Sequence, residues 1–299
     1  MPASFEEILN SRIFKFTVGQ NVDGNSATFP VHEEAIAALS KPLQALVRSG
    51  LSESETGHAT WDNVSKETFV RFAQFAYTGD YSVPKLMPRE VVALHDKDPN
   101  VEDTPFEEDM PLEKVAEEMT PYDHQFHAFG SRNWKRDRKG RRYEATHEDP
   151  EPDLTLSKFQ RALIEPHSLH NYAADAFDPP KSFEHNKIYS SAFVGHASLW
   201  VLGDYQLVES LKALALYKLH KTLSIFQLSK ENISDVVDLA RYAYSDEGAG
   251  SKEGISELRN LVCLFLAVHR KVLCNDDGFL NLMAEGGPLV KDFFKYSTT

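Results

Sequence analysis

Ser65-Lys-Glu-Thr-Phe-Val-Arg-Phe-Ala-Gln-Phe-Ala-Tyr-Thr-Gly-Asp-Tyr81 is the stretch on which the reading of this chain turns. At helical spacing Phe69, Val70, Phe72, Ala73, Ala76 and Tyr77 cover a wide arc, so the pattern predicts one helix packed on several sides. Glu67, Arg71 and Gln74 are left on a narrow polar strip. Ser65 is placed to cap the start, and Glu67 lies in the first turn, where the helix dipole favours a negative charge. Gly79 supplies the left-handed residue that stops the helix, and Tyr81 begins an extended exit toward Pro84.

Upstream of this helix, Phe5, Ile8 and Leu9 fall at helical spacing and predict a short amphipathic element. Arg12 to Val18 alternates and is rich in β-formers, ending at Gly19, and Ala27 to Val31 repeats the signal after the turn formers Asn21 to Ser26, which predicts a hairpin. His32 to Leu39 reads as a helix, and Lys41-Pro42 restarts a second one through Leu43, Leu46 and Val47, closed by Gly50. Ser52 to Thr56 is expected to be a loop. His58 to Val64 is a short strand candidate feeding the long helix.

Downstream, the composition changes at Lys85. Prolines recur at Pro88, Pro99, Pro105, Pro111, Pro121, Pro150, Pro152, Pro166, Pro179 and Pro180 among many charges, a spacing that long regular elements do not survive. Residues 85–187 therefore read as an acidic, Pro-rich, largely disordered insertion, with short helices conceivable at Pro111 to Met119 and Leu154 to Leu163. Ile188 to Tyr205 resumes the apolar pattern up to a Gly203-Asp204-Tyr205 break. Leu207, Leu211, Leu214, Ala215, Leu219 and Leu223 carry a stronger helix on to Phe226. Ser234 to Tyr244, Ile255 to Leu273 and Asp277 to Phe294 make the C-terminal third helical. The expected class is α/β of the α+β kind: a small sheet with surrounding helices over residues 1–84 and 188–226, split by the insertion and followed by an all-helical extension over 227–299.

With 299 residues, 41% of them hydrophobic, the chain has ample material for one large domain or two smaller ones. No run approaches the roughly 20 apolar residues of a membrane helix, and Phe5-Glu-Glu-Ile-Leu lacks the pattern of a secretory leader. Cys263 and Cys274 lie in or beside apolar helical pattern and read as buried structural thiols. The expected setting is intracellular, in cytoplasm or nucleus. A net charge of −13 argues against the chain as a whole binding nucleic acid, because phosphate affinity comes from Lys and Arg. The acid is concentrated over 96–118 and 144–153, flanking a basic run.

These pieces resemble a known family. A strand ending in Val18-Gly19, Phe29-Pro-Val-His32 opening a helix, then Ser40, Glu53-Ser54, Phe69 and Phe75-Ala-Tyr77-Thr-Gly79-Asp-Tyr81 is similar to the BTB/POZ domain, particularly its divergent fungal members. After the insertion, His196-Ala-Ser-Leu-Trp-Val-Leu-Gly-Asp204-Tyr205-Gln-Leu-Val-Glu-Ser-Leu211-Lys-Ala-Leu-Ala looks like that domain's closing helical hairpin. The match covers about 110 residues, a normal domain size, and the remainder from Leu228 resembles the start of a BACK-type extension. The chain departs from the family's pattern at Lys15 and Lys41-Pro42-Leu43, and its N-terminal arm is short, so the family's usual swapped homodimer is not implied; other self-association stays open.

The resemblance implies a protein-binding module without catalytic machinery or cofactor. The residues agree, since no phosphate loop, dinucleotide fingerprint, nucleophile elbow or zincin motif is present. Leu51-Ser52-Glu53 matches the hydrophobic-x-acid motif by which some members contact a cullin scaffold of ubiquitin ligases, and Tyr77 falls where such members place a contact aromatic. The plainer alternative has Leu51 packing its loop, Glu53 solvated and Tyr77 in the core. Arg132, Lys135, Arg136, Arg138, Lys139, Arg141 and Arg142 form the one dense basic run, flanked by Trp134 and Tyr143. It reads as a solvated segment compensating acidic neighbours, as a nuclear import signal, or as a nucleic-acid contact with stacking aromatics. His124-x-x-His127 and His167-x-x-His170 lack the cysteine or carboxylate framework of a metal site. His32 and His196 read as satisfied domain histidines. Glu107-Glu-Asp109 and Glu117-Glu118 have nothing apolar around them to tune a pKa and read as solvated.

Overall fold

The computed structural model describes residues 4–22, 24–50, 52–89, 135–136, 142–143, 154–162, 177–245 and 256–297. The chain divides into two units, one of Met1–Glu90 with Pro152–Thr299 and one of Val91–Glu151. The first unit is mixed α+β and mostly helical, with one three-stranded sheet. No helix among the described residues is long and apolar enough to cross a membrane.

The sheet begins as the sequence pattern predicts. After a short helix α1 (Phe5–Asn10), β1 (Ile13–Val18) alternates between exposed and buried residues and pairs antiparallel with β2 (Ala27–His32), Phe14 opposite Val31 and Phe16 opposite Phe29. Helices α2 (Glu33–Ala37) and α3 (Lys41–Arg48) follow, the second capped by the Ser40 hydroxyl, which accepts from the Leu43 N–H, with Pro42 in its first turn. Ser52 to Thr56, expected to be a loop, is a helical turn, α4 (Ser52–Thr56). Its sequence has no apolar periodicity to announce it; the Arg12 guanidinium holds it by donating to the Ser54 carbonyl at 2.9 Å. β3 (His58–Trp61) then pairs parallel with the other edge of β1, giving the order β2-β1-β3.

α5 (Lys66–Thr78) covers the sheet. Its ends match the sequence reading: Ser65 Oγ accepts from the Thr68 N–H, and Gly79 takes φ 76 while its N–H bonds the Phe75 carbonyl at 2.8 Å. The buried face is Phe69, Phe72 and Phe75, with Phe69 ringed by Phe16, Phe29, Trp61 and Phe72 at centroid distances of 5.2 to 6.0 Å. Each such side chain contributes about 1.5–3 kcal/mol by burial. The expected arc is too wide, since Val70 is 50% exposed. Arg71 and Gln74 of the polar strip are half-buried. Arg71 Nε donates to the Ser82 carbonyl at 3.2 Å and Gln74 Oε1 accepts from the Ser82 N–H at 2.8 Å, so these two side chains fasten the segment that leaves α5.

Among the described residues of 85–89, 154–162 and 177–189, Phe159, Pro179 and Tyr189 are buried and the others are exposed or half-buried where their burial is described. β4 (Met87–Pro88) pairs antiparallel with β7 (Lys187–Ile188), bringing the two ends of the excursion together. Between them in sequence, β5 (Lys135–Arg136) and β6 (Arg142–Tyr143) pair with each other in the second unit. α6 (Leu154–Arg161) fulfils the helical expectation there. The Pro111 to Met119 expectation lies outside the described residues.

After the neck, α7 (Ser190–Tyr205) and α8 (Glu209–Ile225) form an antiparallel hairpin. α7 runs through Gly203-Asp204-Tyr205, expected as a break, and the turn comes at Gln206–Val208, with Leu207 at φ 54. α5 and α7 pack together, Thr68 Oγ1 lies 2.9 Å from Ser198 Oγ, and Phe14, Phe69, Phe193 and Leu211 belong to one apolar interior. α9 (Ile233–Tyr244), α10 (Glu257–Val268), α11 (Arg270–Leu273), α12 (Asp277–Ala284) and α13 (Pro288–Ser297) complete the body. Gly286 and Gly287, both at positive φ, split the single helical signal of Asp277 to Phe294. Cys263 is buried as expected, but Cys274 is exposed.

Candidate interaction surface

The strongest sequence candidate for a docking element surrounds α4. Arg12 organises this corner: its Nε donates to Glu33 Oε2 at 2.9 Å, and its Nη2 donates to the Val47 and Ser54 carbonyls at 3.2 and 2.9 Å. Glu33 is nearly buried and also accepts from Arg48 Nε at 3.3 Å, while Arg48 pairs with Glu34. A charge this shielded is tolerated because both its oxygens are bonded to guanidinium groups. The result is a fixed platform joining the ends of α3 and α4 to β1.

Glu53 stands in the first turn of α4 and is partly exposed. Its own backbone N–H, and then the Ser52 hydroxyl at 2.9 Å, hold its carboxyl below the ordinary glutamate range, so it presents a negative charge at neutral pH. Leu51 lies outside the described residues. Tyr77 is half-buried on α5. Its Oη accepts from the His32 backbone N–H at 2.8 Å and lies 2.8 Å from His32 Nδ1. Tyr77 therefore ties α5 to the N-terminus of α2 through its hydroxyl, and only part of its ring is left for a partner. His32 is satisfied, as expected.

Beside this corner the open face of the sheet carries a polar ladder. Thr17 Oγ1 lies 2.9 Å from Thr28 Oγ1 on β2 and 2.9 Å from His58 Nε2 on β3, so one hydroxyl spans all three strands.

A second polar cluster is interior. Lys218 on α8 is 2% exposed, and its ammonium donates to Asp80 Oδ1, to the Tyr81 carbonyl at 2.7 Å and to the Phe177 carbonyl at 2.7 Å, using all three protons. It also lies 4.4 Å from the Tyr81 ring centroid. Tyr81 Oη meets His196 Nδ1 at 2.9 Å, but the other ring nitrogen of His196 is buried without a partner, so that histidine is only half satisfied. Burial first, then the nearby Lys218 and Arg71 charges, push the His196 imidazole down to about 3, so it is neutral. These groups join the exit of α5 to the closing hairpin.

Among the described residues no group of three or more His, Cys, Asp and Glu side chains is placed to hold a metal ion. His124, His127, His167 and His170 lie outside them. So do Arg132, Arg138, Lys139 and Arg141 of the basic run; Lys135, Arg136 and Arg142 are described by backbone only, in β5 and β6. Sequence reading missed Arg12 and Lys218 as organising residues. For Lys218 a signal existed, a lysine sitting within the apolar run Leu214 to Leu219.

Compared with protein-family models, with curated proteins and with solved structures, the chain matches none.

Proposed function

We propose that this protein is a non-enzymatic protein–protein interaction module of the BTB/POZ kind, with a BACK-like helical extension, and that it docks through the α4 corner. The observation that carries the reading is the strand order β2-β1-β3, with β3 parallel to β1 after three intervening helices and a closing α7–α8 hairpin sharing the same interior. That arrangement supports the resemblance of the sequence, because it unites the two segments that carry it. A fixed platform presenting an ionised Glu53, with a half-exposed Tyr77 on α5, suits a docking element of an apolar anchor with a charged rim.

The partner class proposed is a cullin-type scaffold, which makes the protein a substrate adaptor of a ubiquitin ligase. A purified cullin N-terminal domain binds the full chain, and Leu51→Asp or Glu53→Lys weakens that binding while the thermal melt is unchanged. Binding that is absent, or equal in wild type and both variants, removes the proposal. Self-association is read from the same samples by light scattering.

A further inference from the structure

We propose that the outer edge of β3 is a binding site for an extended, basic segment of a partner protein, which joins the sheet as a fourth strand beside β3. β3 lies at one edge of the order β2-β1-β3. Its ladder to β1 is parallel, with Lys15 beside His58 and Thr17 beside Thr60, and it opens with the Lys15 N–H bonding the Gly57 carbonyl at 2.9 Å. Backbone groups alternate in direction along a strand, so Ala59 and Trp61 turn theirs toward β1, and His58 and Thr60 turn their N–H and C=O groups away from it. Among the described residues those four outward groups meet no partner. Thr60 is exposed and His58 half-exposed. An edge of this kind takes up a strand through main-chain hydrogen bonds.

The opposite edge of the sheet is guarded. The Glu33 N–H bonds the Arg12 carbonyl at 2.8 Å, which sets the alternation along β2 and turns Thr28, Pro30 and His32 away from β1. Pro30 has no N–H to offer, and the His32 N–H is taken by Tyr77 Oη. Proline and lysine are common guards of exposed edges, and β3 carries neither. The surroundings of β3 set the charge of its occupant. Glu53 and Glu55 of α4 stand just before it, Glu55 fully exposed. Asp62 follows it directly, and Asp62 Oδ1 is buried without a hydrogen-bond partner among the described residues. Lys15 stands on the open face of β1, one strand in from the edge. A strand bearing Lys or Arg therefore meets acid at both ends of β3. This surface is separate from the scaffold contact proposed for the α4 corner and does not depend on it.

The test uses the full-length protein with two fluorescent, end-blocked octapeptides, one alternating Val and Lys and the other Val and Glu. The Val-Lys peptide is expected to bind, and the Val-Glu peptide to bind roughly tenfold more weakly or not at all. Bound Val-Lys peptide should slow amide hydrogen exchange at His58 and Thr60 while leaving Ala59 and Trp61, already in the ladder, unchanged. Thr60→Pro removes an outward donor and no ladder bond, so it should fold and bind the peptide roughly tenfold more weakly. The exchange pattern in wild type decides the matter even if that variant does not fold. Leu51→Asp, aimed at the scaffold contact, should leave peptide binding intact. Five outcomes overturn the proposal. The Val-Lys peptide does not bind; both peptides bind equally; protection misses His58 and Thr60; a folded Thr60→Pro chain or the Leu51→Asp chain behaves opposite to expectation; or wild type forms dimers that Thr60→Pro does not, making a second copy the occupant.

Discussion

Asp235 Oδ2 receives Arg89 Nη2 at 2.7 Å and the Tyr189 backbone N–H at 2.9 Å, so one oxygen holds the residues that follow β4 and β7. Asp235 is 2% exposed on α9, and Arg89 also donates to the Glu231 carbonyl at 2.9 Å. Burial raises the Asp235 carboxyl, while the Tyr189 N–H and Arg89 oppose that rise. Asp235→Ala leaves a guanidinium half-shielded and a backbone N–H without its acceptor, and a loss of about 3 kcal/mol is expected in urea unfolding. Arg89→Met with Asp235→Leu removes both charges and should cost less than the sum of the single changes, a coupling that a double-mutant cycle reads directly.

Lys218→Met should be worse. It strands Asp80 and two carbonyls around a site that excludes water, and a loss of about 3–5 kcal/mol is expected. Because the Phe177 carbonyl is one of those acceptors, hydrogen exchange near residues 177–189 should accelerate more than in the sheet. Uniform acceleration would assign Lys218 to global stability alone.

Gly195→Ala tests the junction between the closing hairpin and the first segment of the chain. A Cβ at Gly195 would meet Pro84 Cγ at 2.6 Å. Alanine gains about 1 kcal/mol in helix propensity over glycine, but a proline ring has little room to yield, and overpacking costs about 1–3 kcal/mol. The clash should win, lowering the melting temperature. A rise would mean that α7 and the segment carrying Pro84 shift apart freely.

Local signals make much of this fold legible. The hairpin follows from alternation in Arg12 to Val18, α3 from Ser40 and Pro42, and α5 from Ser65 and Gly79, each encoded within a few neighbouring residues. Long-range pairings are not legible. Nothing in His58 to Trp61 says that it will lie parallel to β1, and Lys218 and Asp80 are 138 positions apart. The Lys85 to Lys187 stretch is read from composition, which registers prolines and charges but not a single anchor such as Phe159. Val70 and Arg71 exchange their expected settings because a helical wheel counts apolarity, whereas the structure uses Arg71 to bond the Ser82 carbonyl. For the candidate site, Glu53 and Tyr77 are legible as residue types. The hydroxyl of Tyr77 bonding His32 is not, because it depends on where β2 ends.

Acid sensitivity follows from three histidines held neutral by burial. The His196 imidazole is pushed down to about 3, and burial also lowers His220 and His269 below the ordinary 6.5, each of these two partly opposed by a bond to a backbone carbonyl. In the unfolded chain all three take up protons near pH 6.5, while the folded chain resists, so the unfolded state binds more protons as pH falls below that value. Their contribution to stability is therefore complete above about pH 6.5 and declines on acidification toward the folded-state values. Each tenfold difference in proton affinity between the two states is about 1.4 kcal/mol, so His196 alone should account for a loss of a few kcal/mol between pH 6.5 and 4. His196→Gln keeps a group able to bond Tyr81 Oη but cannot titrate. The variant should be less stable than wild type at pH 8 yet show a shallower fall in urea midpoint from pH 7 to 5. Parallel pH profiles in the two proteins would mean that His196 is already protonated when folded, and that the Tyr81 to Lys218 cluster tolerates a second cation.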